Sequence, residues 1–490
     1  MPAPPRNDSS LTQYEMRIGG VGSAAISGMT LDVTCPSDGT VFGTIPRGAT
    51  GDVDRAVAAA RKVFDDGSWR GLSDLDRGRT MMAFGSVLME HQEELAALEA
   101  RDVGKTLTLA KADVVALARY FEFYGSAIDK FAGENIPTAT GFMALTFHEP
   151  HGVVAAILPW NYPAQMFGRV AAPALAVGNS LVVKPAEDAC LSILRIAELA
   201  EQHGFPPGLI NIVTGTGLEA GSPLAAHPGT DFVTFTGSPE VGTEIQKLAA
   251  SHRVGCTLEL GGKSPHVVFA DADLDAAVPV ILKAIVANSG QTCVAGSRVL
   301  VQRAIAGQLS ALLSEQFKAL VAGPHWGAFD MGALISEKQK SRVQTMIDRA
   351  KEQGVPVLGQ GAVSTDAPST GFFVSPILFG PASRDSDIAT KEVFGPVLTL
   401  LIFEDEADAI TLANSTEYGL SAAVWTRDIG RALRLSRALQ CGQVFVNAYG
   451  AGGGVEFPFG GVKQSGHGRE KGLQALREFS AVKTVIIAHG

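Results

Sequence analysis

Apolar positions between Val53 and Lys130 recur at helical spacing. Val53, Val57, Ala60 and Val63-Phe64 form a stripe behind the cap Thr50-Gly51-Asp52, which predicts a helix there. The same spacing predicts a longer helix from about Leu75 to Arg101 and a third from about Thr108 to Ala132. From Asn135 to Glu149 the period becomes that of a strand (Phe142, Ala144, Thr146, His148), and the segment reads as a hairpin arm. At Gly152 a regular alternation begins. Short apolar strands are expected at Val153–Leu158, Ser180–Val183, Leu209–Val213, Phe232–Thr236 and Thr257–Leu260. Helices are expected between them at Ala164–Ala176, Leu191–His203, Leu218–His227 and Pro239–His252. Continuous apolar strands joined by helices predict a parallel, doubly wound sheet covered on both faces, with ligands beyond the strands' carboxyl ends. After Pro265 a second alternation predicts another α/β unit. Its strands are expected at His266–Phe269, Val299–Val301, Val355–Leu358, Val397–Phe403, Ala422–Thr426 and Gln443–Asn447. Ala481–Ala488 is strand-like and expected to pair. No repeat of 20–50 residues is visible in the sequence.

Composition sharpens this picture. Of 490 residues, 46% are hydrophobic and 18% charged, too little charge for an ordinary surface, which points to large cores or buried subunit interfaces. The formal charge of −10 and the lack of a basic tract argue against nucleic acid as a partner. No apolar run suggests a membrane span, and Met1–Ser10 lacks the apolar core of a secretory signal. Cys35, Cys190, Cys256, Cys293 and Cys441 form no CxxC, and the histidines form no HExxH. A reduced, cytoplasmic protein without a structural metal is expected.

Several short motifs could carry chemistry. Thr214-Gly-Thr-Gly217-Leu-Glu-Ala-Gly221 and Phe235-Thr-Gly237-Ser238-Pro-Glu-Val-Gly242 lie between strand and helix, where backbone N–H groups favour phosphate. Each alone reads better as a plain strand–turn–helix. Gly261-Gly-Lys263-Ser264 resembles a P-loop, but Thr257 stands where the first glycine belongs, and that reading is rejected. Lys184-Pro-Ala-Glu187 leaves a strand end with a cation and an anion that could clamp a ribose, or form a solvated pair. Cys293 sits in the polar, glycine-flanked run Asn288-Ser-Gly-Gln-Thr-Cys293-Val-Ala-Gly, a setting where reactive thiols occur, with a structural cysteine the other reading. Glu259 closes an apolar strand, where a carboxylate is seldom tolerated unless paired or used.

Taken together these segments resemble the NAD(P)-dependent aldehyde dehydrogenase superfamily over nearly the whole chain. The resemblance is carried by Pro159-Trp-Asn161-Tyr-Pro163, Lys184-Pro-Ala-Glu187, Phe235-Thr-Gly-Ser238, Glu259-Leu-Gly-Gly-Lys263, Gly290-Gln-Thr-Cys293, Glu392-Val-Phe394-Gly-Pro and Pro458-Phe459-Gly-Gly-Val-Lys-Gln-Ser-Gly466. It implies a Rossmann-like NAD-binding domain (1–130 and 151–260), an α/β catalytic domain (261–465) and a β oligomerisation arm (131–150 and 466–490), in a homodimer or homotetramer. It implies Cys293 as the nucleophile that forms a thiohemiacetal and then a thioester, and Glu259 as the base for deacylation. The Asn161 amide and the Cys293 N–H are implied as oxyanion donors. For the cofactor, NAD with NADP as the alternative, it implies Trp160, Lys184 and Glu187 at the adenosine half. Ser238, with Gly217, Gly221 and Gly237, is implied at the pyrophosphate, and Glu392 and Phe394 at the nicotinamide end.

The chain departs from the family pattern in places. Val170 stands nine residues after Asn161, where the family often has Lys, which puts a proton relay to Glu470 in doubt. The glycine-rich Gly450–Val455 loop is expected at the substrate mouth. Tyr162, Met166 and Arg169 share one face of a helix and, with Phe459, are expected to line the aldehyde tunnel. Arg169 there needs a counter-anion. A carboxylate of this chain is one candidate; the other is the carboxylate of an acidic semialdehyde, as in succinate-semialdehyde dehydrogenases. Those enzymes have a second Arg where this chain has Ala287. Two rival functions remain at this level: a coenzyme-A-acylating semialdehyde dehydrogenase, against which Glu259 argues, and a catalytically silent structural or binding protein, against which intact Cys293, Glu259 and Asn161 argue.

Overall fold

The structure is a computed structural model that describes residues 11–450 and 454–489. The Met1–Ser10 segment and the centre of the Gly450–Val455 loop lie outside the described residues.

The first alternation builds a parallel sheet. Its strands run side by side in the order Gly255–Glu259, Phe232–Thr236, Val153–Leu158, Ser180–Pro185 and Ile210–Ile212. Every residue of Val153–Leu158 and Ser180–Pro185 is buried, because helices cover both faces; that is why these strands are continuously apolar. The chain enters at Val153–Leu158, builds to one side and then returns to build the other, so the order reverses beside this strand. The register pairs Ile157 with Lys184 and Thr236 with Glu259, which brings four strand ends to one edge. Ligands of such sheets bind at this edge, beside the reversal.

The second alternation forms a sheet in the order Val357–Gln360, Ile377–Phe379, Val397–Phe403, Arg298–Gln302, Pro265–Val268, Ser421–Trp425 and Gln443–Val446. It is parallel except at the Val357–Gln360 edge. The third sheet is the arm: Ser480–Ala488 pairs antiparallel along all of Phe142–Pro150, with Asn135–Ile136 on the other side.

Four expectations need correction. The Leu75–Arg101 helix is two, Asp74–Glu90 and Gln92–Val103, because His91 leaves helical geometry (φ −95°, ψ 14°) and the chain turns there. The Leu218–His227 helix is a π-helical turn, Gly217–Gly221, followed by the short Ser222–Ala225 helix. The arm does not begin at 466. Gly466–His467 pairs with Leu258 and Glu259 at the edge of the first sheet, and Leu476 and Phe479 join its core, so the arm proper starts at Ser480. The fourth concerns the N-terminal region, where short strands appear that the pattern did not predict. Met16–Ile18 and Val21–Ser23 extend the first sheet, while Thr12–Gln13, Thr30–Thr34 and Val41–Pro46 form a small sheet.

Candidate active site

The helix Leu274–Val286 ends in a loop whose backbone is costly to form. Asn288 (φ 47°), Ser289 (φ 56°) and Gly290 (φ 75°) are consecutive left-handed residues. Such a residue other than glycine costs about 1–3 kcal/mol and persists only where its surroundings hold it. Here the holding is explicit. Gln291 Nε2 donates to the Asn288 carbonyl (3.1 Å), and Gln291 Oε1 accepts from the Ile335 N–H (3.0 Å). Ser289 Oγ donates to the Gly332 carbonyl (2.8 Å). A Cβ on Gly290 would lie 2.1 Å from the Gly395 carbonyl oxygen, so glycine is required.

This loop presents Cys293 to the carboxyl edge of the first sheet. Asn161, just beyond strand Val153–Leu158, donates from Nδ2 to the Gln291 carbonyl (3.0 Å), and Asn288 Nδ2 donates to the Asn161 carbonyl (2.8 Å). The amide is thereby oriented, with one of its two N–H donors still available. Tyr162 Oη and Thr292 Oγ1 share a hydrogen bond (2.7 Å), and Tyr449 Oη donates to the Val294 carbonyl (2.7 Å), so both neighbours of Cys293 are anchored. On the other flank a Cβ on Gly262 would sit 2.3 Å from the Cys293 carbonyl oxygen. Burial pushes the Cys293 thiol up to about 12, against the pull of Arg169.

Glu259 ends its strand facing the same space. Both its oxygens are buried without a hydrogen-bond partner, and burial pushes its carboxyl well above the ordinary range, with Arg169 pulling the other way. Arg169, from the buried helix Pro163–Ala176, reaches Glu259 with Nη2 (3.5 Å) and makes a shorter contact through Nε with Glu470. Its guanidinium lies over the Phe459 ring (4.1 Å), and Met166 Sδ accepts from Nη1 (3.7 Å). Met166 and Phe459 thus both meet the Arg169 guanidinium, while Tyr162 bonds Thr292 on the nucleophile loop. Arg169 pairs with Glu470 of this chain, the first of the two counter-anions that the sequence left open.

The residues matched to the cofactor line the same edge. Lys184 Nζ, on a buried side chain, pairs with the half-exposed Glu187 (2.6 Å). Ser238 caps the helix Pro239–Ser251, its Oγ accepting from the Val241 N–H (3.4 Å). Nothing would touch a Cβ on Gly217, and only the Lys184 stem, at 3.8 Å, would touch one on Gly221, so the chain leaves open space there. Gly237 has a purely internal reason: a Cβ would meet the Phe235 ring at 2.4 Å. Glu392 Oε1 accepts from the Gly262 N–H (2.8 Å), and burial pushes this carboxyl up to about 7. Phe394, itself left-handed (φ 57°), meets Trp160 edge to face at 5.4 Å. An edge with a clamped carboxylate, a helix start and open glycine backbone suits a dinucleotide.

Sequence reasoning missed the supports. Asn288, Gln291, Thr292 and Tyr449 hold the Cys293 loop, and the buried Lys105 holds Glu99 (3.0 Å) and Asp113 (2.6 Å) beneath the Tyr162 ring. The first three stood in the motif already quoted; Lys105 gave no signal, because its partners are recognisable only once helices pack. Among the described residues no group of His, Cys, Asp and Glu is placed to hold a metal ion, and no helix is long and apolar enough to cross a membrane.

Comparison with known proteins agrees with this geometry. Residues 24–485 match the model of the aldehyde dehydrogenase family. The chain is 42% identical to the hydroxyisobutyraldehyde dehydrogenase of Mycolicibacterium austroafricanum, covering 96% of this chain and 93% of that one. It is 40% identical to the NADP/NAD-dependent aldehyde dehydrogenase PuuC of Escherichia coli, covering 96% and 95%. Among solved structures, betaine aldehyde dehydrogenase from Staphylococcus aureus in complex with NAD+ superposes with a TM-score of 0.94 at 36% identity, covering 98% and 96%. A match that spans the nucleophile loop, the sheet edge and nearly the whole chain admits one conclusion: this protein belongs to the aldehyde dehydrogenase family.

Proposed function

We propose that the protein oxidises an aldehyde to its carboxylic acid with NAD, through an acyl group carried on Cys293. The observation that carries the reading is the convergence of Cys293, the Asn161 amide and the Glu259 carboxylate, whose oxygens accept no hydrogen bond, at one sheet edge. With its thiol held up at about 12, Cys293 is protonated at neutral pH and gives its proton to water as the sulfur attacks. Glu259, its basicity raised by burial, remains the unprotonated base for the later deacylation step. The sulfur adds to the aldehyde carbon. The oxyanion that forms accepts from the free N–H of Asn161 and the N–H of Cys293; losing such a donor costs about 100–1,000-fold in rate. NAD, when bound, supplies the hydride acceptor. Trp160, Lys184 and Glu187 would hold its adenosine half, Ser238 with Gly217, Gly221 and Gly237 its pyrophosphate, and Glu392 and Phe394 its nicotinamide end. The thioester then awaits water. Glu259 removes a proton from that water, the hydroxyl adds to the acyl carbon, and Cys293 leaves as thiolate with release of the acid.

Several features support the cofactor and assembly readings. The S. aureus relative was solved with NAD+, and the E. coli relative is named NADP/NAD-dependent. The arm sheet exposes Phe142, Val482 and Ile486 on one face, a strip suited to a second copy of the chain. The test is NADH formation from a panel of aldehydes, with and without coenzyme A. Cys293→Ala should be inactive while still binding NAD, and coenzyme A should be unnecessary. Turnover in Cys293→Ala, or a strict need for coenzyme A, overturns the proposal.

A further inference from the structure

The ion cluster behind the nucleophile holds more carboxylates than it needs to neutralise Arg169. Arg169 is 2% exposed, Glu259 2% and Glu470 1%, so all three are essentially out of water. A buried guanidinium takes whichever carboxylate reaches it with the better geometry. Glu470 reaches it more closely, in an ion pair at Nε, while Glu259 stands 3.5 Å from Nη2. Glu470 is itself fixed. Its backbone exchanges two hydrogen bonds with Phe459 (2.6 and 2.7 Å), and its Oε1 accepts from Thr234 Oγ1 (3.3 Å). Since Phe459 also carries the guanidinium on its ring face, Arg169 is gripped from two sides by one short bridge of backbone.

We propose that Glu470 is a positioning residue that engages Arg169 and so keeps this cation from locking onto Glu259, leaving the base free to reach water. The proposal rests on the assignment of Glu259 as the base. Other charged groups face Glu259 too: Arg469 and Lys471 from the C-terminal segment, and the Cys293 thiol from the nucleophile loop. Arg469 Nη1 is spent on the carbonyls of Gly461 (3.0 Å) and Gly468 (2.6 Å), and the Lys471 ammonium lies 5.2 Å from the centre of the Phe459 ring. Arg169 is therefore the cation that a change at Glu470 redirects. Once the competing carboxylate is gone, the guanidinium turns to Glu259, lowers its pKa and pins it.

The experiment compares Glu470→Gln, Arg169→Met/Glu470→Gln, Arg169→Lys and Glu259→Gln by rapid-mixing NADH bursts and by the pH profile of kcat. Glu470→Gln should keep a burst near one NADH per active site. Its steady-state rate should fall about tenfold or more, the size of one charge-assisted hydrogen bond, and the acid limb of its kcat profile should move to lower pH. The double variant, which has no guanidinium to redirect, should recover most of the lost rate. Arg169→Lys keeps the charge but loses the fork that reaches Glu259, so its acid limb should move to higher pH. Wild-type turnover with an unmoved limb in Glu470→Gln, or a double variant no faster than Glu470→Gln, overturns the proposal. Should Glu470→Gln not fold, an unmoved limb in Arg169→Lys does the same. Wild-type turnover in Glu259→Gln overturns instead the assignment of the base, so the two failures are told apart.

Discussion

Replacing Asn161 by Ala separates what this side chain does for the reaction from what it does for the fold. In the folded protein Asn161 Nδ2 makes one hydrogen bond, to the Gln291 carbonyl at 3.0 Å. That carbonyl keeps a second, longer donor, Asn288 Nδ2 at 3.4 Å, so it is not stranded when Asn161 is cut back. The cost to stability is then that of one ordinary hydrogen bond, about 1 kcal/mol. The remaining N–H of the amide is the one assigned to the oxyanion. Its loss should cost about 2.7–4 kcal/mol of transition-state stabilisation, or about 100–1,000-fold in the rate of the burst. Denaturant unfolding gives the stability cost, and stopped-flow measurement of the NADH burst gives the transition-state cost. The variant should bind NAD normally, unfold at nearly the wild-type denaturant concentration and form NADH at least about a hundredfold more slowly. A burst slowed less than about tenfold, in a protein that binds NAD and is folded, would refute the oxyanion assignment.

Three other consequences follow from named contacts. Lys105→Met removes the cation from between Glu99 and Asp113, all three buried, and should cost about 3–5 kcal/mol in urea unfolding; a loss under about 1 kcal/mol would contradict the buried pair. Glu187, held by Lys184 at the strand end, should oppose a 2′-phosphate, so kcat/KM should favour NAD over NADP and Glu187→Gln should narrow that preference. An NADP preference in the wild type would show the carboxylate turned elsewhere. His266 is fully buried and pushed down to about 3 by that burial, so the folded state resists a proton that the unfolded chain accepts near 6.5. Stability should therefore fall with acidification below about pH 6.5, at about 1.4 kcal/mol per pH unit from this group, and His266→Gln should remove that slope.

Much of this architecture is legible in the sequence, for identifiable physical reasons. Strands covered on both faces, such as Val153–Leu158, must be continuously apolar, and the helices between them must be long enough to cross back, so the parallel sheets stand out. The short N-terminal strands do not. Met16–Ile18 and Val21–Ser23 have three residues each, separated by Gly19-Gly20, too few to establish a period of two. The break at His91 is equally silent, since no Pro or Gly marks it. At the site, residue types drew attention to Cys293 and Glu259, because a polar loop and a carboxylate at an apolar strand's end are conspicuous, whereas Asn161 came from the family resemblance alone. Arg169 was conspicuous too, as a lone charge in an apolar helix, but its partner lies about three hundred residues away in sequence, and only the fold brings Glu470 to it. The same holds for Tyr449, whose bond to the Val294 carbonyl crosses from the segment after the Gln443–Val446 edge strand to the nucleophile loop.

The most direct test of the central claim is to trap the acyl group. Glu259→Gln, mixed with NAD and an aldehyde that the wild type oxidises, should be acid-quenched after the burst and digested. Mass spectrometry should then find the peptide containing Cys293 heavier by the acyl group, in about one copy per NADH formed, and the modification should be absent from Cys293→Ala. An NADH burst with Cys293 unmodified, or an acyl group on a different residue, would contradict the account.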